Sequence, residues 1–489
     1  MGWRQILVYT HRWLGIAGCL LFIAWFTSGI VMMYARMPEL DAQDRRAHLP
    51  ILDFTTARVA PGDVFGPAGP QRLRIGMFLG RPVYRALIQG RWTTIFADDG
   101  RAMAGVTREG ALAEATRFAL EKASTIRYDA KIAEPDQWTL QSRALLPMHR
   151  VALGDADDTV LYVSDRTGEV EVRTTRSERR VAYVGAVLHW LYFTPFRRNT
   201  AAWAQWIIWL SIAGCVMCLS GLVWGFIVAR RSPYAGIMRW HHYAGLIFGV
   251  TTFTFLFSGL LSMDPWDWHP GTAPTRAQRD AAAGGPLDLE RLTIDRLRAG
   301  LETMAAHGAR EVDVVRFRGE PFLAGPGMLL AALHPERGIF QRFGDDLVEA
   351  VARDAMPGVP VVDAAWLDHY DSYYYARSPG ALPLPVLRVR FGDPQRTWLY
   401  LDPGRGAIVR KEERLSRLNR WLYHGFHSFD FPFLYARRPL WDIVVLGLSA
   451  GGLASAVTSL VPAWRRVRGH LARQKGGMAE GQEFKAGGQ

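Results

Sequence analysis

Apolar positions along the chain gather in four long runs instead of spreading evenly. Leu14 to Tyr34, Ala201 to Ala229, Tyr243 to Met263 and Ile443 to Val461 each contain no charged residue. A bilayer core about 30 Å thick needs roughly 20 apolar residues at about 1.5 Å each, so every run predicts a membrane-spanning helix. The fourth is the most polar, with Ser449, Ser455, Thr458 and Ser459. Its small residues, Gly447, Ala450, Gly451, Gly452 and Ala454, suit close helix contact more than lipid exposure. The first run is too long for a secretory leader and has no small-residue cleavage site after it, so it reads as an anchor.

Between the runs the period changes. Val386-Leu387-Arg388-Val389-Arg390-Phe391 alternates as a strand does, and Thr397 to Leu401 follows after a turn. Glu109 to Glu121 and Asp345 to Arg353 have the spacing of amphipathic helices. The two long connections therefore predict α+β lobes, each a small antiparallel sheet with a helix on one face. The expected order is a helix in 1–35, a lobe in 36–180, an interfacial segment and second helix in 181–230, and a short connection and third helix in 231–263. A second lobe in 264–415, an interfacial segment and fourth helix in 416–465 and a polar tail in 466–489 complete it.

The chain repeats itself. His11-Arg12-Trp13-Leu14-Gly15 recurs as His241-His242-Tyr243-Ala244-Gly245, and Ser28-Gly29 recurs in register as Ser258-Gly259. Arg81 to Tyr84 resembles Glu320 to Leu323, and Leu161 to Gly168 matches Leu399 to Gly406. Leu188-His189 before Thr194-Pro195-Phe196 echoes Tyr423-His424 before Phe431-Pro432-Phe433. An internal two-fold duplication follows, each half running helix, lobe, helix.

Charge adds orientation. Lys and Arg number 58 against 46 Asp and Glu, a formal net charge of +12. Arg4 and Arg12, then Arg230, Arg231 and Arg239, then Arg465, Arg466 and Arg468 flank the runs on one side. By the positive-inside rule both termini and the short connection are cytoplasmic, and the lobes face the other compartment. A membrane surface accounts for the basic balance, and no nucleic-acid partner is needed. Only 3 Cys exclude a disulfide framework.

Of 13 His, the duplication singles out two pairs of positions, His11 with His241 and His189 with His424. Ionisable residues in a bundle of spanning helices usually face a site, and neutral imidazole is a ready metal ligand. Haem iron is commonly held this way. Gly15 and Gly18 after His11, and Gly245 and Gly249 after His241, leave clearance for a flat macrocycle. The pattern predicts two haem sites, one near each membrane face, with His242 as an alternative to His241 and His427 as an alternative to His424. Cys215-Val216-Met217-Cys218 lacks the following His of a haem-attachment motif and reads as packing thiols. Tyr370, Asp371, Tyr373, Tyr374, Tyr375 and Arg377 read as a strand with buried aromatics rather than a binding cleft. No phosphate loop, dinucleotide fingerprint or nucleophile–base set is present.

The chain resembles the PepSY-associated transmembrane family of bacterial inner-membrane proteins, which includes siderophore-iron reductases. The likeness rests on His11 to Gly15, on Leu161–Gly168 and Leu399–Gly406, and on Trp421 to Ser428, and it spans residues 1 to about 468. Gly404-Arg405-Gly406 departs from the family's usual Thr-Gly turn. The resemblance implies four transmembrane helices, two periplasmic PepSY-like lobes and two b-type haems on His11, His189, His241 and His424. It implies an oxidoreductase that passes electrons from an unnamed donor across the bilayer to a ferric siderophore or another periplasmic ferric chelate. A membrane-tethered, non-catalytic binding or regulatory protein is the alternative. Transport is disfavoured, because no acidic pathway runs through the helices.

Overall fold

The computed structural model describes every residue except 1, 67–68, 120–124, 286–288, 377–381 and 487–489, and side chains of the last helix as far as residue 472. Glu121, Arg377 and most of the polar tail therefore lie outside the described side chains. The chain divides into a helical unit, residues 1–36, 181–269 and 418–489, and a sheet-rich unit, residues 37–180 and 270–417.

Four helices are long and apolar enough to cross a membrane: α1 (Trp3–Met32), α2 (Thr200–Ile227), α3 (Ile237–Leu261) and α4 (Leu440–Ala486). Together with the antiparallel sheets they make this a mixed helix-and-sheet membrane protein. Helices α1 and α3 begin before their apolar runs, so His11 and His241 lie inside helix rather than in a flanking loop. Glycines set the approach of α4. A Cβ on Gly451 would collide with Phe248 of α3, and one on Gly452 with Phe26 of α1. The small residues of the fourth run thus serve helix packing.

Each long connection carries its own strands. The first holds β1 (Arg72–Phe78), β2 (Arg81–Ile88) and β3 (Arg91–Phe96), then β4 (Arg127–Ile132), β5 (Met148–Ala152), β6 (Val160–Ser164) and β7 (Val170–Thr174). The second holds β8 (Val312–Phe317), β9 (Glu320–Gly325), β10 (Met328–Ala331) and β11 (Ile339–Phe340), then β12 (Val361–Leu367), β13 (Val386–Phe391), β14 (Trp398–Asp402) and β15 (Ala407–Glu412). Strands β4 to β7 and β12 to β15 form two separate four-stranded meanders. The remaining strands do not stay in separate lobes. They join in one seven-stranded sheet, order β11-β10-β9-β8-β1-β2-β3, with Leu73 opposite Val314 where the two connections meet. Amphipathic helices cover the meanders at Arg108–Ala119 and Asp345–Asp354.

The repeated turn after β6 and β14 has a steric reason. Gly168 and Gly406 both have positive φ, 69° and 60°, a region costly for residues with a Cβ. A Cβ there would strike Phe78, the last residue of β1, or Phe317, the last residue of β8. Gly406 occupies the position the turn demands, and Arg405 stands where Thr167 does. The tyrosine segment is not a strand. Residues 370–375 form an irregular loop, in which Tyr374 is fully buried and stacks on Tyr400 at 4.8 Å. Tyr370 and Tyr374 donate their hydroxyls to the carbonyls of Leu382 and Pro383. These rings are core, as expected, on backbone that loops to satisfy them.

Candidate functional site

Two imidazole pairs form within the helical unit. The rings of His11 and His241 have centroids 6.1 Å apart, and those of His189 and His427 are also 6.1 Å apart. Neither spacing is contact stacking. The ring planes are inclined to one another by 37° and 69°.

In the first pair both histidines stand on spanning helices and turn Nδ1 toward a neighbouring helix. His11 Nδ1 lies 3.0 Å from the Met217 carbonyl of α2, and His241 Nδ1 lies 2.9 Å from the Ser455 carbonyl of α4. A carbonyl oxygen only accepts, so each Nδ1 carries the proton and each neutral ring holds its lone pair on Nε2. That arrangement orients the ring and raises the basicity of the ligating nitrogen. Helix α2 comes close enough because position 221 is glycine; a Cβ there would collide with the His11 ring.

His242 has the opposite tautomer. Its Nε2 lies 3.2 Å from the Gly225 carbonyl and must donate, while Nδ1 sits 2.9 Å from the Ser232 hydroxyl. Both nitrogens of His242 are committed, whereas the hydrogen bond of His241 to Ser455 engages Nδ1 alone.

The second pair comes from the short segments that precede α2 and α4. Each segment is a π-helical turn, Tyr183–Val187 or Arg420–Gly425, followed by one short helix, Leu188–Trp190 or Phe426–Ser428. Each then ends on a residue with left-handed backbone, Leu191 or Phe429, both at φ 51°. Aligned on those residues, His189 corresponds to His427. The sequence register that matched His189 with His424 is therefore displaced by three positions. The lobe repeat carries the same match, because His189 and His427 each stand 21 positions after the turn glycine of their half, Gly168 or Gly406. His424 instead lies with its ring 4.3 Å from that of Tyr423.

Serines orient this second pair. Ser28 Oγ lies 3.1 Å from His189 Nδ1, and Ser258 Oγ lies 3.1 Å from His427 Nδ1. Each hydroxyl proton already goes to a carbonyl of its own helix, Ala24 or Phe255, so the oxygens accept from Nδ1. His189 and Trp25 also bond reciprocally: Nδ1 is 3.2 Å from the Trp25 carbonyl, and the indole donates to the His189 carbonyl at 3.0 Å. Gly29 and Gly259, next to the serines, give the two rings room; a Cβ would stand 3.4 and 3.6 Å from them. Behind each histidine of this pair a tryptophan of the next helix donates to its segment, Trp203 to the Trp190 carbonyl and Trp441 to the Ser428 carbonyl, both at 2.9 Å.

Ser28 and Ser258 each stand 17 positions after the helix histidine of their half. At 1.5 Å per residue the two pairs are separated by about 25 Å along the helix axis, close to the thickness of a bilayer core. The recurring Ser-Gly was visible in the sequence. Its job of fixing a tautomer on a distant histidine was not, and neither were the acceptor carbonyls of Met217 and Ser455 or the role of Gly221.

Beside the first pair lies a cavity of about 640 Å³. Gly15, Gly245 and Gly249 line it, and a Cβ at Gly245 would meet no atom within 4 Å. Gly18 does not line it, and its Cβ position abuts Phe22. Cys218 is a buried free thiol whose Sγ reaches the Gly249 carbonyl at 3.7 Å, in keeping with packing. Among the described residues no group of three or more His, Cys, Asp or Glu is arranged to hold a metal ion. The imidazoles are grouped in twos. No protein-family model and no curated protein matches the chain.

Proposed function

We propose that the chain is a membrane oxidoreductase that binds two b-type haems, one between His11 and His241 and one between His189 and His427, and reduces a ferric chelate such as a siderophore complex. The ring spacing carries this reading. A metal–imidazole bond of about 2.1 Å, plus roughly 1 Å from nitrogen to ring centre, places two coaxial imidazoles about 6 Å apart across one metal atom. Two donors cannot complete a coordination shell, so a metal held by each pair must bring its remaining ligands with it, as a macrocycle does. The cavity and its glycines supply space for a flat apolar body beside His11 and His241.

Haem, when bound, would supply one-electron redox chemistry. The chain's own residues hold four imidazoles as neutral Nδ1–H donors, exclude water with apolar side chains, and set two sites about a bilayer's thickness apart. The arginines flanking the helices support a reading with the termini on the cytoplasmic side and the sheet-rich unit in the bacterial periplasm, where a ferric chelate would be met. Reduction would release iron because hard oxygen donors hold the ferrous ion more weakly. The resemblance to PepSY-associated reductases supports the same assignment.

An absorption spectrum of the detergent-purified protein, before and after dithionite, tests it together with a pyridine haemochrome assay. Reduced b-type bands at two haems per chain are expected. A protein that stays colourless after expression with added haem would overturn the reading in favour of a tethered regulatory protein.

A further inference from the structure

The cavity beside His11 and His241 is charged at one end only. Arg12, Arg465 and Arg466 line it, and among the described residues no Asp or Glu does. Among the described residues none of the three has a carboxylate partner; Arg12 packs over the Tyr9 ring at 5.3 Å. Elsewhere the wall is mostly glycine, aliphatic, aromatic and sulfur side chains, with the neutral polar groups of His242, Thr252, Ser455 and Ser459. Arginines at a helix end are expected on the cytoplasmic side of a membrane. That rule does not require three of them to border one apolar cavity with no acid to meet them. Guanidinium groups bond carboxylates in bidentate fashion, more strongly than neutral groups do.

Resting on the haem reading above, we propose that Arg12, Arg465 and Arg466 bind the carboxylates of the macrocycle that His11 and His241 ligate. Its acidic edge then faces the helix ends and its apolar edge enters the bundle. The orientation is fixed by charge, whereas the imidazoles fix only the axis. Positive charge at that edge also favours the reduced state of the metal, because it opposes the additional positive charge of the oxidised one.

The test titrates the full-length apo-protein in detergent with haem b and with its dimethyl ester, reading Soret absorbance. The component that disappears in His11→Ala marks this site. The native protein should bind the acid form more tightly than the ester. In an R12A/R465A/R466A variant the affinity for the acid form should fall about tenfold for each guanidinium–carboxylate bond removed, with ester binding unchanged. The midpoint potential of that haem should fall, and a variant with three lysines should restore part of the preference. Equal affinity for acid and ester in the native protein would overturn the inference while leaving the haem reading intact. So would a triple variant that loses bound anionic phospholipid, read by native mass spectrometry, with both haem affinities unaltered. Failure of the native protein to bind either form would sink the haem reading, and this inference with it.

Discussion

The ionic cluster of the sheet-rich unit and the histidine pairs of the helical unit fix buried polar side chains in opposite ways. In the sheet-rich unit they are held by full charges. Glu169, 1% exposed, receives Arg45 at 2.7 Å and Arg74 and Arg85 at 2.9 Å each, while Arg45 also reaches Glu311 at 2.7 Å. In the helical unit the histidines are held by neutral hydrogen bonds to carbonyls and hydroxyls. A buried charge is costly without a partner, so the cluster pairs its charges, with Arg74 Nε, Arg85 Nη1 and Glu169 Oε1 in ion-pair contact but without a hydrogen bond. A neutral imidazole anchored through one nitrogen keeps chemistry on the other. The contrast separates polar groups that join the two β segments from polar groups that can serve a ligand.

The largest effect should come from the histidines. His11→Ala or His241→Ala is expected to remove one of two haems, and His189→Ala or His427→Ala the other, by haemochrome stoichiometry. His242→Ala and His424→Ala should retain both. If His424→Ala lost a haem and His427→Ala did not, the structural register would be wrong.

Next comes the ionic cluster. Glu169→Gln leaves three buried guanidinium groups short of a charge and should cost about 3–5 kcal/mol, read as thermal unfolding of the purified protein with its haem content measured alongside. Arg74, Arg85 and Arg45 overcome the burial that opposes ionisation of Glu169 and hold its carboxyl down at about 2. A carboxylate depressed on folding contributes stability that is present above its unfolded value of about 4.3. That contribution should be lost as pH falls toward 2, and in Glu169→Gln this acid limb should flatten. Glu171 works in the other sense, because burial and then the charge of Glu169 push its carboxyl up. Its stabilising contribution lies at low pH and disappears as pH rises through its folded value.

Glycine substitutions distinguish the two histidine pairs more finely. Gly221→Ala must displace the His11 ring and should cost about 1–3 kcal/mol with a broadened Soret band. Gly29→Ala, whose Cβ would stand 3.4 Å from His189, should fit with little change. Equal effects would show that the two pairs are equally tolerant of crowding. The smallest effect belongs to the serines. Ser28→Ala and Ser258→Ala should keep both haems, cost about 1 kcal/mol each and shift the midpoint potential of the second site alone. A shift at the first site would contradict the assignment of each serine to its histidine.

Periodicity alone determined the four long helices, their order among the β segments, and the doubling of the chain. Those features depend on local apolar content and on spacing within one segment, which a sequence displays directly. It also placed His11 and His241, because a helix start repeats in register. Which of two neighbouring histidines turns toward a partner depended on acceptors far along the chain: Ser455 for His241, Gly225 and Ser232 against His242, Ser258 for His427. The match of His427 to His189 stood in the sequence as an equal spacing of 21 positions from Gly406 and Gly168, but it stayed out of sight behind the local likeness of Leu188-His189 to Tyr423-His424. The seven-stranded sheet was equally out of sight, since the pairing of Leu73 with Val314 joins residues more than two hundred positions apart. Long-range pairing and hydrogen-bond direction are properties of the packed molecule, and only its tertiary structure could decide them.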